Sequence, residues 1–131
     1  MEMPLVTCGF TTFNSENTIE KALNSALKQD YKNIDILIVD DNSVDLTVEK
    51  IYSFLSAKKI NFKVLKHNSN LGVAQARNTI LKNAKGEFLA FFDSDDYSLE
   101  NRISYLKYTK KKKLNCGILN NLSVNLWLIL N

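Results

Sequence analysis

Four short, mostly apolar runs, each closed by a polar cluster and separated by helical stripes, constrain this chain more than any other feature. Leu5 to Phe10 follows Pro4 and leads into Thr11-Thr12-Phe13-Asn14. Ile34 to Val39 is closed by Asp40-Asp41-Asn42-Ser43. Phe62 to Leu65 is weaker and precedes the polar loop Asn68 to Gly72. Phe88 to Phe92 ends in Asp93-Ser94-Asp95-Asp96. Between the first two runs, Ile19, Ala22, Leu23, Ala26 and Leu27 recur at the spacing of an amphipathic helix, with Asn14 or Ser15 as its expected cap. A second stripe, Val48, Ile51, Tyr52 and Leu55, follows an expected cap at Ser43 or Asp45. Val73 to Ala84 reads as a third helix stopped by Gly86, and Leu99 to about Tyr108 as a fourth. Such β-α alternation predicts an α/β fold with a parallel sheet and helices on both faces.

In sheets of this kind ligands bind beyond the carboxyl ends of the strands, where strand order reverses. The polar clusters sit at those ends, and the amino ends carry nothing comparable. Asp93, Asp95 and Asp96 place three carboxylates in four residues, which repel one another unless a cation or water shares the charge. A hard divalent metal takes oxygen ligands and keeps waters and phosphates as its remaining partners. Asp-x-Asp here therefore suits a metal–diphosphate, although taken alone it is more often a solvated turn with Asp96 or Ser98 capping the next helix. Asp40 and Asp41 can accept from a base edge, such as the imide N–H of uracil, or from a ribose hydroxyl; they also suit a helix-capping turn. Phe13 can stack on a base or plug the sheet top. Arg77 can reach a phosphate or pair with an aspartate. His67 and Trp127 carry little signal. No G-x-G-x-x-G follows the first strand and no G-x-x-x-x-G-K-[ST] is present, so if a nucleotide binds, a metal must do much of the phosphate neutralisation.

The chain of 131 residues suits one domain with a real core. Its net charge of +3 comes from the run Lys110 to Lys113; without it 13 basic residues face 14 acidic ones. That balance gives nucleic-acid binding little support. Cys8 and Cys116, with no C-x-x-C and no export signal, read as reduced thiols of a cytoplasmic protein. No apolar stretch approaches the roughly 18 residues that span a bilayer, so no transmembrane segment is expected and any membrane contact would be peripheral, at the inner face. Residues 110–131 change character to Lys, Asn and Leu with no clear period. This atypical tail, after a domain over 1–109, reads as an edge strand, a helix or a loosely packed segment, or as the product of a reading-frame slip.

The series Thr12-Phe13-Asn14, Ile38-Val39-Asp40-Asp41-Asn42-Ser43, Asn70-Leu71-Gly72 with Ala76-Arg77-Asn78, and Lys85-Gly86-Glu87-Phe88 with Phe92-Asp93-Ser94-Asp95-Asp96 resembles the family 2 glycosyltransferases of the GT-A fold. The resemblance covers residues 4 to about 105 and implies the nucleotide-sugar-binding half of that Rossmann-like fold. It implies that Thr12, Phe13 and Asn14 flank base and ribose, that Asp41 with Asp40 holds the base edge, and that Arg77 lies near base or phosphates. By the same resemblance Asp93, Ser94 and Asp95 bracket the donor, and Asp93, Asp95 and Asp96 hold Mn²⁺ or Mg²⁺ as a Lewis acid. A UDP-sugar is the implied donor and inversion the implied stereochemistry; the acceptor is unspecified. Phe13 replaces the usual Tyr, and Cys8 and Gly9 replace branched aliphatics, which should loosen the first strand. After Asp96 the only acidic residue is Glu100, so no catalytic base is assigned. A silent, truncated nucleoside-diphosphate-binding remnant is the alternative. Core exposed by a missing acceptor half would favour self-association.

Overall fold

The computed structural model describes residues 3–105 and the backbone of 127–129. Its elements are β1 (Val6–Thr12), α1 (Ile19–Leu27), β2 (Ile34–Asp40), α2 (Thr47–Ser56), β3 (Phe62–Lys66), α3 (Val73–Asn83), β4 (Phe88–Asp93) and β5 (Trp127–Ile129). The sheet order is β3-β2-β1-β4-β5, with β1 to β4 parallel and β5 antiparallel to β4. The expected α/β architecture is what forms. One expected reading of the tail, an edge strand, holds for 127–129; residues 106–126 lie outside the described residues, as does the end of the expected fourth helix. A helical turn is present at 102–105.

Alternation along the strands sorts two cores. Val6, Cys8, Phe10, Ile36, Ile38, Ala90 and Phe92 pack with α1 and α2 on one face, and Phe10 and Phe92 stack with ring centroids 5.0 Å apart. Leu37, Val39, Leu89 and Phe91 pack with Ala76 and Ile80 of α3 on the other. The chain adds β2 and β3 on one side of β1, then crosses back through α3 to place β4 on the other. Strand order therefore reverses at β1 and β4, which is where this class of sheet opens a crevice.

Three local expectations change. Asn14 and Ser15 do not cap α1 through their side chains; the Ser15 carbonyl accepts from Thr18 and Ile19, and the two side chains are used elsewhere. In α2 Ile51 and Leu55 of the expected stripe are buried, but Thr47 joins them in place of Val48 and Tyr52. Tyr52 stays half-exposed, its ring edge-on to Phe62 at 5.9 Å. Gly9 does not loosen β1: a Cβ there would stand 2.6 Å from Ile80 Cγ2, because α3 already fills the space. Cys8 is fully buried, which pushes its thiol up to about 12 and leaves it inert at neutral pH. Among the described residues no helix is long and apolar enough to cross a membrane.

Candidate functional site

A cleft of about 620 Å³ opens at the carboxyl ends of β1, β2 and β4. Its walls are Thr11 to Ser15, Asn17 and Thr18 after β1, Asp41 after β2, Asn70, Gly72, Val73 and Ala76 around the start of α3, and Asp93, Ser94 and Asp95 after β4. The strand-end clusters separated by up to about eighty positions in sequence thus meet on one surface. Parallel strands deliver all their carboxyl ends to the same edge, so the sheet itself performs this convergence.

The loop after β1 is laced to the loop after β2. Asn14, in left-handed backbone with φ 46°, donates its N–H to Ser43 Oγ at 2.8 Å and accepts from Val44 N–H through Oδ1 at 2.9 Å. Ser15 N–H donates to Thr47 Oγ1 at 2.7 Å, and Glu16 accepts from Leu46 N–H at 3.0 Å. Asp40 is fully buried and spends its carboxylate on the Ser43 N–H and hydroxyl, at 2.9 and 2.6 Å. It braces the loop and does not line the cleft, whereas Asp41 does. The lacing leaves Phe13 46% exposed on the rim, a flat ring presented to whatever enters. Ser15 and Ser94 hydroxyls meet at 2.7 Å and tie the first loop to the Asp93–Asp96 turn.

Asp41 is nearly buried and accepts three hydrogen bonds. Leu71 N–H and His67 Nδ1 reach Oδ1 at 2.9 and 2.7 Å, and Gly72 N–H reaches Oδ2 at 2.7 Å. Gly72 has φ 87°, and the turn it makes aims both backbone donors at the carboxylate. Burial pushes the Asp41 carboxyl up, but the Leu71 N–H, the His67 ring and the Gly72 N–H outweigh it and hold it below the ordinary 3.8. A depressed folded value stabilises the fold above the ordinary range and loses that contribution as pH falls through the folded value. Acidification below pH 3.8 is therefore expected to release the 68–72 loop first. Hydrogen exchange at Leu71 and Gly72 checks this; protection that stays constant from pH 5 to below 3 would count against it.

At β4, Arg77 from α3 donates to Asp93 Oδ1 at 3.2 Å and lies over the Phe91 ring at 5.6 Å. Arg77 is not part of the cleft wall. Asp95 is exposed and on the wall; Asp96 is exposed and off it, its N–H closing the turn onto the Asp93 carbonyl at 3.2 Å. Among the described residues no three His, Cys, Asp or Glu side chains are placed together as metal ligands. Two carboxylates on one rim instead suit a hard cation that draws its other ligands from phosphate and water.

Sequence reasoning missed the parts that hold this turn. Gln29, fully buried at the end of α1, donates to the Leu99 carbonyl at 2.6 Å and accepts from Ile103 N–H at 3.0 Å. Arg102 donates to the Phe91 carbonyl at 2.7 Å and to Ser98 Oγ at 3.0 Å, with its guanidinium 4.4 Å from the Phe92 ring. Neither belongs to a motif; both are polar residues whose partners lie across the fold. His67 was likewise silent in the sequence.

A model of glycosyl transferase family 2 matches residues 8–114, well over half of the chain. The chain belongs to glycosyl transferase family 2. It is 43% identical over 102 residues to the Escherichia coli UDP-Glc:alpha-D-GlcNAc-diphosphoundecaprenol beta-1,3-glucosyltransferase WfaP, covering 78% of this chain and 39% of that protein. The crystal structure of Staphylococcus aureus TarS 1–349 superposes with a TM-score of 0.73 at 34% identity, over 82% of this chain and 32% of that one. TarS has also been solved with UDP and with UDP-GlcNAc. The mannosyltransferase PcManGT from Pyrobaculum calidifontis, solved with GDP-Man and Mn²⁺, gives a TM-score of 0.76 at 25% identity, over 82% of this chain and 33% of that one. The chain thus spans about two fifths of the length of the E. coli relative. These neighbours place the fold among the GT-A glycosyltransferases.

Proposed function

We propose that this chain binds a UDP-sugar in the cleft, with the uracil between Phe13 and Asp41 and the diphosphate toward Asp93 and Asp95. The observation that carries the reading is the convergence of those four residues on one wall of the sheet. Thr12 and Asn14 flank the base and ribose, and Ser94 faces the donor from the β4 turn. Asp40 acts indirectly, by fixing the loop that carries Asp41. Arg77 keeps the charge of Asp93 partly balanced from behind the cleft.

The choice of uracil follows from the acceptor count at Asp41. An ionised carboxylate offers about four acceptor positions, and three are taken by His67, Leu71 and Gly72. One remains, on Oδ2. Uracil presents a single donor on its pairing edge; guanine presents two adjacent donors and would leave one unpaired. A divalent cation at Asp93 and Asp95, Mn²⁺ or Mg²⁺, would supply charge neutralisation for a leaving diphosphate. Relatives with that metal and with UDP-sugars support the reading.

In the complete reaction the acceptor hydroxyl would displace the nucleoside diphosphate with inversion. Among the described residues the cleft-wall carboxylates are Asp41, Asp93 and Asp95, each already engaged or assigned to the donor. That observation favours a second reading, in which this chain holds the donor without transferring its sugar. Calorimetric titration with UDP, UDP-Glc and UDP-GlcNAc in Mn²⁺, beside an assay for released UDP, separates the two. Binding with turnover supports the transferase, binding alone supports the remnant, and no binding overturns both. Phe13→Ala is expected to lower UDP affinity about tenfold, within the range for loss of one base–aromatic stack; unchanged affinity would remove Phe13 from the site.

A further inference from the structure

His67 immediately follows β3 and is absent from the cleft wall, yet its ring is held at both nitrogens. Nδ1 stands 2.7 Å from Asp41 Oδ1, and Nε2 stands 2.9 Å from Thr79 Oγ1 on α3. The side chain is only 11% exposed. An ionised carboxylate can only accept, so the proton between Asp41 and the ring belongs to Nδ1. The Thr79 hydroxyl, which also has the Gln75 carbonyl within reach at 3.0 Å, meets the other edge of the ring at Nε2. His67 is therefore a strut between α3 and the aspartate that faces the cleft.

We propose that His67 is a positioning residue for base selection, filling one acceptor position of Asp41 so that a single one is left for the nucleobase. The inference rests on the reading that Asp41 meets the base. With His67 in place, Oδ1 is saturated by the ring and by Leu71 N–H, and only Oδ2 has room. Removing the ring donor frees a position on Oδ1. A carboxylate released from the ring can turn about its Cβ–Cγ bond and present both oxygens to the cleft, the arrangement that the two adjacent donors of guanine need. It also loses one of the three contacts that fix its plane. Uracil should lose affinity because the carboxylate is no longer held, while guanine gains a second partner. A residue that never touches the ligand would thus set the preference between them.

The test titrates UDP and GDP, each with Mn²⁺, into the full chain and its His67→Phe, His67→Asn and Thr79→Val variants, with thermal melts alongside. The unmodified chain is expected to prefer UDP. His67→Phe keeps a ring but no donor, and should lower UDP affinity roughly tenfold while shrinking the UDP-over-GDP preference by about the same factor. His67→Asn can place its amide nitrogen where Nδ1 stood, and should retain the preference to within about threefold. Thr79→Val leaves the ring but frees its far edge, and should shift the preference in the same direction as His67→Phe by about threefold. Equal loss of UDP and GDP affinity in His67→Phe would mean a purely structural role and would overturn the inference. If His67→Phe does not fold, an unchanged preference in Thr79→Val overturns it instead. A chain that binds UDP but keeps its preference in every variant sinks only this inference; one that binds neither nucleotide sinks the reading of the cleft as well.

Discussion

Replacing Asp95 by Ala is expected to abolish Mn²⁺-dependent UDP binding while leaving the fold intact. Asp95 is exposed on the cleft wall, and among the described residues it makes no hydrogen bond or ion pair. A carboxylate at the mouth of a sheet with no partner to stabilise contributes little to folding, and exposed substitutions of this kind usually move stability by less than about 0.5 kcal/mol. Its proposed task is charge. Asp93 already faces Arg77 at 3.2 Å, so the full negative charge of Asp95 is the larger attraction for a cation. Substituting groups that merely support a metal ligand costs about 10- to 100-fold in metal affinity, and losing a ligand itself should cost at least about 100-fold. Calorimetry with UDP, with and without Mn²⁺, reads the difference directly. If affinity in Mn²⁺ is unchanged, Asp95 is not a metal ligand. A fall that appears equally without metal would assign it to the nucleotide instead.

Gly86→Ala should produce the largest loss of stability from a single added methyl group. A Cβ at Gly86 would lie 2.6 Å from Thr7 N and 2.8 Å from both the Leu5 and Phe88 carbonyl oxygens. All three are backbone atoms, so no side-chain rotation can make room. The Gly86 N–H also donates to Thr7 Oγ1 at 2.9 Å, fixing the approach. The added carbon must push β1 away from the start of β4, where Val6 pairs with Phe88. We expect a cost of about 3 kcal/mol, the upper part of the overpacking range, against the 5–15 kcal/mol that holds a typical domain together. Gly9→Ala is the useful comparison. There the new methyl would meet Ile80 Cγ2 at 2.6 Å, the end of a side chain that can turn, and the cost should be smaller. Urea unfolding of both variants gives the ordering; a Gly86→Ala midpoint equal to that of the unmodified chain would show that the two strands can separate at little cost.

Much of the candidate site could be read from the sequence because its parts sit at strand ends. Thr12, Phe13, Asn14, Asp41, Asp93, Ser94 and Asp95 all line the cleft, each directly after or at the end of a strand that the apolar runs had marked. Asp40 shows the limit. It is adjacent to Asp41 and chemically identical, yet the two face different surroundings: Asp40 closes onto Ser43 inside the loop, and Asp41 accepts from the segment that enters α3. Asp40 is the last residue of β2 and Asp41 the first beyond it, so the two carboxylates enter different surroundings and do not act as a pair. The cap of α1 departs from expectation for a related reason. Asn14 and Ser15 have the right chemistry for a cap, but the loop 43–47 lies within reach and takes them first.

The sequence by itself determined the order and kind of the elements and the edge at which function would gather. Periods of two and of about three and a half residues record which side of each element is buried, and that information is local. Only the tertiary structure decided which groups on that edge remain available to a ligand. The free acceptor of Asp41, the guanidinium behind Asp93 and the strut of His67 each depend on hydrogen bonds across 12 or more residues. Such bonds come into being when the parallel sheet brings the strand ends side by side. No local pattern can encode them, because each partner's own sequence neighbourhood would look the same without the other.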